Sequence, residues 1–152
     1  MAASLAASII AFLQQEPRFQ AVNELRLVID DQPVGWVRPS VAEALYELDR
    51  PRIRITGREI KLSSDATIVG RSAQLQDYAL AMKQQGLLQN WRNEAMQLQL
   101  AGQAFLTLER AAFRTFGLQT PSVHLNAWVA TANGVELWVA RPSRHKFVDP
   151  NK

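Results

Sequence analysis

The sequence has no cysteine among its 152 residues. That excludes a disulfide framework, a thiolate nucleophile and any cysteine-ligated metal centre. It also suits a reducing compartment, and the expected location is the cytoplasm. There are only two histidines, His124 and His145. Neither has a ligand partner at metal spacing, so no zinc site is expected. The seven glycines are scattered at turns and helix ends. No Gly-x-x-x-x-Gly-Lys phosphate loop and no Gly-x-Ser-x-Gly nucleophile elbow can be built from them. No apolar run is long enough to span a bilayer. The opening stretch "MAASLAASIIAFLQQEP" has no Lys or Arg before its apolar core, as a signal peptide would. Leu5, Ile9, Phe12 and Leu13 fall on one helical face there, which predicts a docked amphipathic helix and no membrane association.

Basic charge is missing from most of the chain, although the pI is about 9.7. Of 17 Lys and Arg and 14 Asp and Glu, four basic residues (Arg141, Arg144, Lys146, Lys152) and one acidic residue (Asp149) fall from Arg141 onward. That leaves 13 of each sign in residues 1–140, so the body is neutral and the tail holds the net charge. Nucleic-acid binding normally needs a broad basic stripe, and none is predicted.

What is present is an ordinary globular composition, 47% hydrophobic and 20% charged, in a length suited to one domain or one domain and part of another. Residues 25–29 and 34–37 read as strands around the turn-forming Asp30-Asp31-Gln32-Pro33. Pro39 opens a helix with Ser40 and Glu43 at capping-box spacing and Val41, Leu45 and Leu48 on the buried face. Residues 52–56 and 59–63 alternate around Gly57, which predicts a half-exposed hairpin with its arginines and lysine in solvent. A helix is expected over 71–85, with Leu75, Tyr78, Ala79 and Met82 buried and Gly86 closing it. Met96, Leu98 and Leu100 alternate with Gln97 and Gln99 as a strand. Residues 104–116 have helical spacing, with Phe105, Leu108, Ala112 and Phe116 inward and Gly117 at the end. Strands over 123–131 and 135–141 flank Asn133-Gly134, a strong hairpin turn. Hairpins separated by single helices predict an α+β fold with about four helices.

Three constellations carry candidate chemistry. Trp91, Arg92, Asn93 and Glu94 set an aromatic beside hydrogen-bonding side chains at a helix-to-strand junction. They read either as a buried tryptophan with an Arg–Glu pair fixing the turn or as a binding element. His124, Asn126 and Trp128 alternate onto one strand face, opposite Val123, Leu125, Ala127 and Val129. That face could floor a small-molecule pocket or simply meet solvent or another domain. Arg141, Arg144 and Lys146 can clamp phosphate or form a solvated basic end.

The runs "WRNEAMQLQ", "LERAAFRTFGLQTPSVHLNAWV" and "LWVARPSRHKFVDPNK", in that order, resemble the thiamine-pyrophosphokinase-related branch of Nudix hydrolases. In that branch a domain of unknown function precedes the Nudix domain. The Trp-Arg-x-Glu motif, the Glu-Arg-Ala-Ala helix ending in Phe-Gly and the Val-His-Leu-Asn-x-Trp-Val strand are typical of the join. Arg141, Ser143 and Lys146 match the family's segment after its first hairpin, while Pro142 stands where a second basic residue is usual. The family's Gly-x5-Glu-x7-Arg-Glu-x-x-Glu-Glu-x-Gly box, which holds divalent cations against a diphosphate, is missing.

The resemblance implies an N-terminal α+β domain over 1–120 and the first hairpin of a truncated Nudix domain over 121–152. The intact enzyme would hydrolyse a nucleotide- or thiamine-diphosphate-like substrate with Mg²⁺. No cofactor is expected for this chain alone, which should be inactive. His124, Asn126, Trp128, Arg141, Arg144 and Lys146 would be the substrate-side residues, with Trp91, Arg92 and Glu94 structural. The expected partner is the absent C-terminal domain, with homo-oligomerisation open and the outer edge of the last strand waiting to be paired. The alternative is a free-standing, non-catalytic binding or interaction module.

Overall fold

Three tight turns set the sheets of this protein, for which a computed structural model describes residues 5–15, 21–121, 125, 127–132 and 134–138. Asp30 and Asp31, with φ of 47° and 63°, join β1 (Leu25–Ile29) to β2 (Gln32–Val37). Gly57, with φ of 57°, starts the Gly57-Arg58 turn between β3 (Ile53–Thr56) and β4 (Glu59–Leu62). Ala101 and Gly102, at 49° and 79°, join β5 (Ala95–Leu100) to β6 (Gln103–Glu109). In the first and third, positive φ at both central residues gives the turn a twist that matches the flanking strands.

The first two hairpins form one sheet of order β2-β1-β4-β3. Within each hairpin the pairing is antiparallel, and the hairpins meet through the parallel pair β1–β4, with Leu27 opposite Ile60. α2 (Pro39–Leu48) carries the chain from one hairpin to the other, and α3 (Ile68–Gln84) leads on to β5. Leu27, Ile29, Leu45, Ile60, Leu75, Met82, Leu106 and Phe113 belong to one apolar core, each at most 2% exposed. The described chain is an α+β fold with four helices and eight strands.

Where α3 was expected, Leu75, Tyr78, Ala79 and Met82 are buried and Gly86 has φ of 74°. The helix begins earlier than expected because Thr67 caps it, its hydroxyl oxygen accepting from the Gly70 N–H at 3.0 Å. The Ser40–Glu43 capping box does not form. Pro39 occupies the first helical turn and Arg38 is the N-cap, with no side-chain cap, so Ser40 already lies inside α2. Among the first helix's expected apolar residues, Phe12 is 61% exposed on α1 (Leu5–Gln15).

The expected helix over 104–116 is instead β6 followed by a six-residue helix, α4 (Arg110–Thr115). The cause is a bulge. Leu98 stands opposite Leu106 while Gln99 stands opposite Ala104, so Phe105 is an extra residue in β6. The bulge buries Phe105 and Leu106 as neighbours, followed by Leu108, Glu109, Ala112, Phe113 and Phe116. That burial order imitates a helix of 3.6 residues per turn. The expected inward residues Phe105, Leu108, Ala112 and Phe116 are all buried.

The chain divides into two compact units, Met1–Thr120 and Pro121–Lys152. The second contains an antiparallel hairpin of β7 (Ala127–Thr131) and β8 (Gly134–Trp138). Thr131 pairs with Gly134, so the connection begins one residue before the expected Asn133-Gly134 turn. Trp128 faces Leu137 and Ala130 faces Val135, which puts four apolar side chains on one face of the ribbon.

Candidate functional site: the cleft between α3 and β6

β6 pairs with β5 along one edge. Its other edge is met by side chains of α3. The Ser72 hydroxyl oxygen accepts from the Thr107 N–H at 2.8 Å, and Gln76 Oε1 accepts from the Glu109 N–H at 3.2 Å. Arg71 Nη1 donates to the carbonyl of the bulged Phe105 at 2.9 Å. One turn of spacing between Ser72 and Gln76 matches the alternate N–H groups of the strand, and the edge is thereby closed to further pairing.

Arg71 also fixes the first sheet to this region. Its Nε donates to Asp30 Oδ2 at 2.7 Å, its Nη2 donates to the Ala66 carbonyl at 2.6 Å, and its guanidinium lies 4.1 Å from the Phe105 ring centre. Asp30 accepts from both the N–H and the hydroxyl of Ser64. Burial pushes the Asp30 carboxyl up, but the hydrogen bonds from Ser64 and Arg71 together hold it below its ordinary 3.8.

Beside this edge lies a cleft of about 420 Å³, walled by Ser72, Gln76, Trp91, Asn93, Thr107 and Glu109. Glu109 is buried at the end of β6, where Oε1 accepts from the N–H groups of Arg92 (3.0 Å) and Ala111 (3.3 Å). Trp91 is held in place from two sides. Its indole N–H donates to Asn93 Oδ1 at 2.8 Å, and Lys83 Nζ lies 4.6 Å from its ring centre. Glu94 pairs with Arg110 at 2.6 Å, not with Arg92, because the Arg110 N–H donates to the Glu94 carbonyl and brings the two side chains together. The Arg110 hydrogen bond holds the Glu94 carboxyl below its usual range.

A second cleft, of about 550 Å³, is lined by Arg26, Val34, Trp36 and Gln119 around the close approach of Gly35 and Gly117.

The structure brings Trp91 and Asn93 into the α3–β6 cleft, while Arg92 contributes its backbone and Glu94 fixes the neighbouring turn. Trp128 belongs to the separate β7–β8 hairpin. His124, Asn126, Arg141, Arg144 and Lys146 lie outside the described residues. Sequence reasoning missed Arg71, Ser72, Gln76 and Glu109. The available signal was charge in an apolar stripe: Arg71 stands four residues before Leu75, and Glu109 follows the apolar Phe105-Leu106-Thr107-Leu108. Among the described residues no group of three or more His, Cys, Asp or Glu could hold a metal ion. No helix among them is long and apolar enough to cross a membrane.

A four-stranded sheet and a two-stranded hairpin arranged about α3, with a cleft between α3 and β6, define an α+β domain with a small-ligand-sized recess. The family model for a domain of unknown function, DUF4743, matches residues 7–120, and the chain belongs to that family. No curated protein matches it.

Proposed function

We propose that this chain is the N-terminal region of a Nudix-type diphosphate hydrolase, residues 1–120 shaping the substrate pocket or mediating dimerisation. Residues 121–152 then open the catalytic domain. The observation that carries the reading is the ordered set of motifs from Trp91 to the basic end. The Glu-Arg-Ala-Ala segment, Glu109 to Ala112, starts α4 and is followed by Phe116-Gly117. The division at Thr120 and the end of the family match at the same residue agree with a domain boundary there. The carboxylates that would hold Mg²⁺ lie in the missing box, so the 152 residues have no hydrolytic activity of their own. Under this reading the intact enzyme works in the cytoplasm on a nucleotide- or thiamine-diphosphate-like substrate.

Two measurements test it. Incubated with Mg²⁺ and nucleoside or thiamine diphosphates, the 152-residue chain releases no phosphate product; robust turnover overturns the proposal. The coding sequence read past Lys152 continues into a Gly-x5-Glu box; a stop codon there favours a free-standing binding module instead.

A further inference from the structure

Glu109 is only 4% exposed, yet just one of its carboxylate oxygens is used. Oε1 accepts from Arg92 and Ala111, whereas Oε2 takes no hydrogen bond among the described residues. No described side-chain oxygen is both sealed from solvent and unpaired, so Oε2 reaches open space, and Glu109 lines the α3–β6 cleft. A buried carboxylate with a free oxygen is an acceptor awaiting a donor.

Two amide donors accompany it, on the half-buried Gln76 and the exposed Asn93. Gln76 Oε1 is engaged by the Glu109 N–H, which leaves Gln76 Nε2 with no acceptor among the described residues. Asn93 Oδ1 is engaged by the Trp91 indole N–H, which leaves Asn93 Nδ2 equally free. Each amide is oriented by the bond its oxygen makes, so neither can turn its oxygen into the cleft without losing that bond. Trp91 adds a flat aromatic wall. The volume of about 420 Å³ falls within the roughly 300–1,000 Å³ range of small-molecule pockets.

An acceptor beside N–H₂ donors against an aromatic wall complements a flat ligand whose edge carries an N–H next to a lone pair. The charges narrow the choice. Lys83, 4.6 Å from the Trp91 ring, disfavours a cation, and Glu109 disfavours an anion. We propose that the cleft binds a small neutral amino-heterocycle of the adenine or cytosine type. Glu109 Oε2 accepts from the exocyclic amine, Gln76 or Asn93 donates to the adjacent ring nitrogen, and Trp91 packs against the ring. This inference does not depend on the hydrolase reading, because it concerns binding to the chain in hand.

The test is an NMR titration of the 152-residue chain with adenine. It follows the Trp91 indole N–H, assigned through Trp91→Phe, and the Gln76 and Asn93 side-chain amides. Adenine shifts all three, and purine, which lacks the exocyclic amine, binds about tenfold more weakly, the loss expected for one hydrogen bond of about 1.4 kcal/mol. Gln76→Glu keeps the acceptor for the Glu109 N–H but removes the donor, and Asn93→Asp does the same for Trp91. Because one of the two amides donates to the ring, at least one of these variants weakens adenine at least tenfold. Equal binding of purine and adenine, unchanged affinity in both variants with the wild-type fold kept, or no Trp91 shift up to the solubility of adenine overturns the proposal. So does binding of adenosine monophosphate without binding of adenine, since phosphate would then be the group recognised.

Discussion

Arg71 and Asp30, 41 residues apart in sequence, form a 2.7 Å ion pair that ties the first β-turn to α3 and to the bulge of β6. Arg71 spends its remaining donors on the carbonyls of Phe105 and Ala66. Removing one member of this part-buried, hydrogen-bonded pair strands the other, at about 1–3 kcal/mol. Arg71→Ala is expected to lose that much in urea unfolding, and Arg71→Met with Asp30→Asn to lose less than the single change. A double variant as unstable as Arg71→Ala would show that the pair's charge is not what matters.

Asp30 also gives the fold an acid limb. Its carboxyl is held below the ordinary value of 3.8, so its contribution is complete above that pH and is lost as pH falls through the depressed folded value. The urea midpoint of wild type should therefore approach that of Asp30→Asn as pH is lowered below 4. A constant gap between the two would contradict the assignment.

Gly35 and Gly117 let two backbones meet where a Cβ cannot fit. A Cβ on Gly35 would overlap the Gly117 carbonyl, and one on Gly117 would overlap the Trp36 carbonyl, in a contact made by the Trp36 N–H donating to Gly117 at 3.2 Å. Backbone atoms cannot swing aside as side chains do. Gly35→Ala is expected to cost about 1–3 kcal/mol. Gly117→Ala should cost more, because its φ of 56° adds backbone strain of about 1–2 kcal/mol. Thermal melts of the two variants against a control at Gly57, where a Cβ meets nothing within 4 Å, separate crowding from strain.

Much of this fold was legible because its turns and stripes are local. The Asp30-Asp31 turn, the α3 stripe from Leu75 to Met82 and the β5 alternation follow from nearest-neighbour chemistry. β6 was not legible because one bulged residue, Phe105, changed a two-residue period into a helical one. The cleft was half legible: Trp91 and Asn93 stand two residues apart in one short run, but Gln76 and Glu109 join them only through tertiary packing, across an edge that no periodicity records. The Glu94 partner was misplaced for the same reason, since Arg110 reaches it across the β5–β6 ladder.

Ser72 offers a direct view of how that edge is closed. Its hydroxyl accepts from the Thr107 N–H and donates to the Ile68 carbonyl at 2.6 Å. Ser72→Ala leaves the strand amide without a partner, at about 1–3 kcal/mol. Hydrogen exchange at Thr107 should accelerate selectively, while the Leu98 and Leu106 amides in the same sheet keep their relative protection. Unchanged Thr107 exchange would mean that another group seals the edge.

Tyr78 gives the fold an alkaline limb. Its hydroxyl donates to Asp49 Oδ2 at 2.7 Å and accepts from Gln74 Nε2 at 2.7 Å. Burial, reinforced by the Asp49 carboxylate, raises it from 10.0 to about 12. The folded protein thus keeps a proton that the unfolded chain releases. The resulting stability is complete below pH 10 and is lost as pH rises through about 12. Tyr78→Phe lacks this proton and should be less stable than wild type at neutral pH, since Asp49 loses its donor. The gap between the two urea midpoints should then narrow as pH climbs above 10, and the tyrosinate absorbance of wild type should show a late-titrating phenol that Tyr78→Phe removes. A gap that stays constant up to the alkaline unfolding limit would rule out the proton linkage and leave Tyr78 as a packing residue only.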